Sequence, residues 1–310
     1  MKKLYGVITA MVTPFDGHDR PDLDAVGKLA DFLIERGVHC LYPTGTTGEM
    51  YLMSVEERKA VAETVIRQAN GRATVYIHAG AMTLKDTVEI ARHACSAGAD
   101  GIGVVTPSFF KVDERELEEY YVDVAKSVPS DFPVYLYNIP QLSGNDLKPA
   151  TIARIIGRCP NVVGIKYSYH DFLRVNEYLQ LNDGDFSVVI GADRLFVAGL
   201  SIGCCGTVSG NSCACPEPYV EIYESFLKGD CSKALEIQKG ANEIADLLRN
   251  GSNMAYFKAV LKARGINAGH MRRPLMDLGK KESGELASRF VELAGALGIQ
   301  AKSVKTGVAA

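Results

Sequence analysis

Between residues 5 and 228 a short β-type apolar run is followed by a helical run, and the pair recurs eight times. The first β-type run is Tyr5–Val12, followed by a helix with Leu23, Val26, Leu29, Ala30 and Leu33 on one face. The other runs are Cys40–Pro43, Thr74–His78, Gly101–Val105, Pro133–Tyr137, Val162–Lys166, Ser187–Ile190 and Gly206–Val208. Gly37, Gly98 and Gly203 each stand where a helix must stop and turn into the next strand. Ser54-Val-Glu-Glu57 and Asp113-Glu-Arg-Glu116 read as capping boxes that start two of the helices. Strands separated by helices of this length run parallel, joined by right-handed crossovers. A doubly wound open sheet satisfies the alternation too. The first βα loop lacks GxGxxG, however, and eight units favour a closed (β/α)8, or TIM, barrel.

From about residue 229 the strand signal disappears. Ala234–Leu248, Met254–Ala263 and Ser283–Leu297 read as three helices appended to the barrel. The expected division is a barrel over 1–228, a helical domain over 229–298, and a mobile tail over 299–310, where residues are small and polar.

Composition narrows the function classes. With 47% hydrophobic and 23% charged residues the chain has the balance of a soluble globular protein. The net charge of −3 is spread along the chain, which leaves no nucleic-acid footprint. No apolar run approaches the roughly 20 residues of a membrane span. Met1-Lys2-Lys3-Leu4 leads into a stretch interrupted by Thr9, Thr13 and Asp16, so it reads as a first strand and not a signal peptide. A cytoplasmic location is expected. Cys204, Cys205, Cys213 and Cys215 crowd together, but CC and CxC lack the gap that structural zinc sites use. Small buried thiols and no metal are expected.

In a barrel the reactive side chains sit where strands end. Gly45-Thr46-Thr47-Gly48-Glu49, Tyr137-Asn-Ile-Pro140, Lys166, Asp193 and Ser209-Gly-Asn211 all fall at such ends. Lys166 closes the apolar run Val162–Ile165, which aims its ammonium into a mouth with little water. Desolvation disfavours a charged amine and would free it to attack a carbonyl. From position alone, a lysine snorkelling to solvent is an equal reading. The Gly45–Glu49 turn offers N–H groups and two hydroxyls to an anion, though such a segment serves as a plain turn about as often. Tyr137 has the hydroxyl for proton transfer; a core aromatic is the commoner fate.

The motifs Gly45-Thr-Thr-Gly-Glu49, Tyr137-Asn-Ile-Pro140 and Gly164-Ile-Lys166, in this order and spacing, resemble the dihydrodipicolinate synthase and N-acetylneuraminate lyase superfamily. Thr13-Pro-Phe15, Ala97-Gly-Ala-Asp-Gly101 and Arg273-Pro-Leu275 are similar to it as well, and the resemblance extends to about residue 298. It implies a TIM barrel and a class I aldolase or lyase, in which Lys166 forms an imine with pyruvate or another 2-oxo acid. It further implies that Thr46 and Thr47 hold the carboxylate, that Tyr137 is the acid/base with Thr47 in its relay, and that neither metal nor organic cofactor is needed. Ser168, Gly191, Asp193 and Ser209 match substrate-contacting positions, and the implied assembly is a homotetramer.

Three residues depart from the pattern. Leu142 stands where the synthase has an arginine for its second substrate's carboxylate, and leucine cannot make that bidentate pair. Phe109 replaces a tyrosine that completes a Thr–Tyr–Tyr relay, in many members across a subunit boundary; this leaves Tyr137 to work through water or to bond Thr47 directly, or else lowers activity. Arg194 stands where sialate lyases have glutamate, a charge reversal against N-acetylneuraminate. The nearest likeness is to 2-keto-3-deoxy sugar acid aldolases, so an enzyme releasing pyruvate from a 2-oxo-3-deoxy sugar acid is expected. The alternatives are dihydrodipicolinate synthase, a 2-oxo acid dehydratase or deaminase, and, on the strength of Phe109 alone, a non-catalytic ligand-binding member.

Overall fold

The computed structural model describes residues 1–299, and within them the eight β-type runs form eight parallel strands. They are β1 (Gly6–Ala10), β2 (Cys40–Tyr42), β3 (Thr74–His78), β4 (Gly101–Val105), β5 (Val134–Asn138), β6 (Val162–Tyr167), β7 (Ser187–Ile190) and β8 (Gly206–Ser209). Each strand pairs with its sequence neighbours, and β8 returns to β1 through Gly6↔Gly206 and Thr9↔Ser209, which closes the barrel. The first strand is shorter than expected. Met11 N–H still donates to Tyr42 O at 3.2 Å, but Val12 N–H turns away to the Cys213 thiol.

Helices Leu23–Glu35, Val55–Ala69, Leu84–Ser96, Glu114–Lys126, Pro149–Arg158, Phe172–Leu179, Phe196–Ser201 and Glu217–Leu227 follow the strands in turn. Both capping boxes are present, each with side chain and backbone answering one another. Gly37, Gly98 and Gly203 all have positive φ, the conformation that lets the chain leave a helix abruptly.

Successive strand residues face opposite ways, which divides the apolar residues into two layers. Ile8, Cys40, Tyr42, Tyr76, Tyr135 and Val208 point inward and fill the barrel. Val7, Leu41, Ile77, Ile102, Leu136 and Ile165 point outward against the helices. The interior holds large rings because small residues face them. A Cβ on Gly103 would lie 1.8 Å from the Tyr42 hydroxyl, and one on Gly164 would lie 2.5 Å from the Tyr135 ring.

The three C-terminal helices run Cys231–Leu247, Met254–Ala263 and Lys280–Ala296. The first starts three residues before the expected Ala234, because the Asp230 side chain caps it by accepting from Lys233 N. One continuous apolar cluster joins barrel and appendage, from Val7 to Phe290 and Ala294. Ile299, expected to open the tail, packs against that cluster and donates its N–H to Ala294 O at 2.9 Å. The rest of the expected tail, 300–310, lies outside the described residues.

Candidate active site

The C-terminal ends of β2 to β6 bring four inward side chains to one level of the barrel. Tyr137 and Lys166 are direct neighbours across the β5–β6 pair. Lys166 is only 5% exposed, so its side chain is held within the barrel mouth. Its Nζ lies 3.8 Å from the centre of the Tyr137 ring and 5.2 Å from that of Tyr42. Among the described residues it has no carboxylate and no hydrogen-bond partner. Two aromatic faces alone receive the cation, an arrangement that leaves the amine free to meet a ligand.

Tyr42 and His78 complete this layer, and neither was singled out from the sequence. His78 lies edge-on to Tyr137 with ring centres 5.8 Å apart, and Tyr42 is 6.0 Å from His78. Both are fully buried, and the Tyr42 hydroxyl and His78 Nε2 find no partner among the described residues. Burial pushes the His78 pKa well below the usual imidazole range, with Arg58 and Lys166 adding repulsion, so the ring is neutral. Burial likewise raises the Tyr42 phenol well above its usual value. The sequence carried a usable signal for both. They end β2 and β3 at inward positions, the placement that drew attention to Lys166 and Tyr137.

The Gly45–Glu49 turn is closed by its own later amides. Gly48 and Met50 N–H donate to Gly45 O, and Glu49 N–H to Thr46 O, at 3.0–3.2 Å. The N–H groups of Thr46 and Thr47 have no protein acceptor among the described residues, which leaves two donors at the turn for an anion. The Thr46 hydroxyl stands 3.4 Å from the Tyr137 hydroxyl. Of the two threonines, Thr46 and not Thr47 is the one whose hydroxyl is within reach of Tyr137. The Thr47 hydroxyl points instead toward β8, 3.2 Å from where a Cβ on Gly210 would sit. Adjacent turn residues project in different directions, and the turn's torsions decide which one faces the tyrosine.

Around β7 and β8 lie the other expected substrate contacts. Asp193 is buried, accepting from Ser209 Oγ (2.7 Å), Asn211 Nδ2 (2.8 Å) and Thr207 Oγ1 (3.1 Å). Burial raises its pKa, and the three donors oppose that rise. Ser209 is wholly buried and also accepts from Ser212 N at 2.9 Å. Asp193 and Ser209 are thus hydrogen-bonded to each other, and Asp193 also lines a hollow after β7. Ser168 remains half-exposed, packed so closely on Gly191 that a Cβ there would fall 2.0 Å from its hydroxyl. Arg194 pairs with Asp246 of the helix Cys231–Leu247.

Two hollows open near the strand ends, one at the Thr46 turn and one after β7, and Lys166, Tyr137, Tyr42 and His78 border neither. One of about 230 Å³ is lined by Thr46, Met50, Tyr51, Ile139, Leu142 and Met254 among others, and no lysine or arginine borders it. The other, about 360 Å³, is lined by His170, Gly191, Asp193, Arg194, Asn211 and Asn250 with their neighbours. Phe109 borders neither. It has φ +76, is 84% exposed, and packs edge-on against the equally outward Phe110. Cys204, Cys213 and Cys215 are buried free thiols, and Cys205 is half-buried. Among the described residues, no group of three His, Cys, Asp or Glu side chains is placed to hold a metal.

Comparison with known proteins agrees with this geometry. The sequence model of the dihydrodipicolinate synthetase family matches residues 3–292. A 4-hydroxy-tetrahydrodipicolinate synthase of Bacillus subtilis is 32% identical, over 93% of this chain and 98% of that protein. An N-acetylneuraminate lyase of Mediterraneibacter gnavus is also 32% identical, over 89% of this chain and 88% of its own. Among solved structures, YagE, a prophage protein of the dihydrodipicolinic acid synthase family from E. coli K12, was determined in complex with pyruvate. It superposes with a TM-score of 0.88 at 29% identity, over 94% of this chain and 99% of its own.

Proposed function

This chain belongs to the dihydrodipicolinate synthetase family, and on that premise we propose that it is a class I aldolase releasing pyruvate from a 2-oxo-3-deoxy sugar acid. The observation that carries the reading is Lys166: buried, without a counter-charge, and in contact with the Tyr137 ring at 3.8 Å. Its amine attacks the ketone of the 2-oxo acid, and loss of water leaves an imine. The protonated imine draws electrons from the C3–C4 bond, so that bond breaks, an aldehyde leaves, and an enamine of pyruvate remains. Tyr137 takes the proton from the C4 hydroxyl, with the Thr46 hydroxyl as its neighbour. The free N–H groups of Thr46 and Thr47 hold the carboxylate, and protonation of the enamine followed by hydrolysis frees pyruvate. The electron sink is the imine itself, so the reaction calls on no metal or organic cofactor.

The aldehyde half is assigned by charge. Among the described residues no lysine or arginine borders the hollow beside Leu142, and Arg194, which lines the other hollow, pairs with Asp246. A charged hydrogen bond is worth about 1.5–3 kcal/mol, which corresponds to roughly one to two decades in specificity. With pyruvate as partner, glyceraldehyde is therefore expected to exceed aspartate semialdehyde in kcat/KM by at least about tenfold. The check is direct competition between the two acceptors. A tenfold preference for aspartate semialdehyde would reject the sugar acid reading in favour of the synthase reaction.

The reading includes a homotetramer. Phe109 and Phe110 present two exposed rings on one loop, an apolar pair suited to cover by another copy of the chain. Light scattering at micromolar concentration is expected to give the tetramer mass; a monomer alone would count against it.

A further inference from the structure

The last residue of the Gly45–Glu49 turn has a role that the chemistry above leaves unused. Glu49 adopts φ +60, a left-handed conformation that a residue with a side chain takes only when its surroundings hold it there. Its carboxylate is fully buried, and both oxygens are occupied. Oε1 accepts from Lys258 Nζ at 2.6 Å, and Oε2 from the backbone N–H of Arg272 at 3.1 Å. The Lys258 side chain is 1% exposed and also donates to His270 O. Arg272 then reaches back with its guanidinium to Leu52 O and to both oxygens of Glu57, just beyond the turn. Phe15 lies beneath both cations, 4.8 Å from Lys258 Nζ and 4.2 Å from the Arg272 guanidinium carbon. From the barrel side, the Thr13 hydroxyl fixes the turn by donating to Gly48 O at 2.8 Å.

A need for stability does not account for such a pair. Replacing a buried ion pair by apolar residues of similar volume is often neutral or stabilising, whereas a pair with both carboxylate oxygens held by separate donors fixes one geometry. What is fixed here is the segment whose Thr46 and Thr47 N–H groups have no acceptor among the described residues. The helix carrying Lys258 also supplies Phe257, whose ring and the Thr47 hydroxyl both approach Gly210, and Met254, which lines the hollow beside Thr46.

Resting on the reading of that turn as the carboxylate cradle, we propose that Glu49 and Lys258, closed by the Arg272 amide, are positioning residues for it. The C-terminal helices thereby set the affinity for the 2-oxo acid carboxylate without touching it.

The test is borohydride capture of pyruvate on Lys166 at graded pyruvate concentrations, with the melting temperature recorded alongside. Glu49→Gln with Lys258→Met removes both charges together and strands neither in the interior. It is expected to fold and to label fully at saturation, but with half-saturating pyruvate raised about tenfold or more, since small misplacements of a binding group cost this much. Glu49→Asp keeps both charges and shortens the tie by one methylene; a rise of about threefold is expected. A purely structural pair would lower the melting temperature and leave half-saturation at the wild-type value. That result in the double variant overturns the inference, and if the double variant does not fold, the same result in Glu49→Asp overturns it. Wild-type enzyme that captures no pyruvate overturns the aldolase reading and this inference together, whereas normal capture with unshifted variants overturns this inference alone.

Discussion

Replacing Lys166 with methionine is expected to lower turnover by about 10⁴-fold or more, since removing the nucleophile removes the covalent route altogether. The melting temperature should stay level. Lys166 is 5% exposed and its ammonium has no carboxylate or hydrogen-bond acceptor among the described residues. Among the described residues its Nζ meets only the rings of Tyr137 and Tyr42, so the exchange breaks no ion pair or hydrogen bond. Methionine fills similar volume, carries no charge, and retains contact with the Tyr137 and Tyr42 rings. A stable but inactive variant would separate the lysine's chemical role from any structural one. Pyruvate plus borohydride should add a pyruvate-derived mass to the peptide containing Lys166 in the wild type, and to no peptide in the variant. Labelling of a different lysine, or turnover within tenfold of wild type, would end the imine mechanism at this residue.

Tyr137→Phe is expected to cost about 10²–10⁴-fold in turnover, the usual worth of a positioned acid/base. The substitution is selective because the ring stays. Phenylalanine preserves the face that meets Lys166 Nζ at 3.8 Å and the edge contact with His78 at 5.8 Å. Only the hydroxyl and its 3.4 Å contact with Thr46 are lost, and a contact of that length adds little to stability. Imine capture at saturating pyruvate should therefore persist while the C–C step fails, so the two measurements diverge. If capture and turnover fall together, the tyrosine serves imine formation first. If neither changes, its hydroxyl has no part in proton transfer.

Some of the site was legible before any coordinates because its signals are local. Lys166 and Tyr137 end apolar strands, and a strand's period of two places both inward once the register is set. The capping boxes and glycine stops fixed helix boundaries to within a few residues. Tyr42 and His78 were readable by the same rule and were passed over because they belong to no recognised motif. Other features had no local signal. Thr46 and Thr47 are chemically identical neighbours, and only the torsions of the turn show which one meets Tyr137. Asp193 is expected to contact substrate by the family resemblance alone; its three donors come from residues 207 to 211, beyond a helix in the sequence.

By itself, then, the sequence determined the eight strand–helix units, their order and the three appended helices. Each of these follows from periodicity, capping and chain reversal, which act over a few residues and need no knowledge of distant partners. The tertiary structure decided which polar groups remain free. Glu49 meets Lys258 across 209 residues, and Asp193 accepts from Thr207 and Ser209 of β8. Lys166 stays unpaired because the inward neighbours at its level are Tyr42, His78 and Tyr137, none of them a carboxylate. Whether a buried charge is paired depends on what every other strand brings to the same height, and that is settled only when the barrel closes.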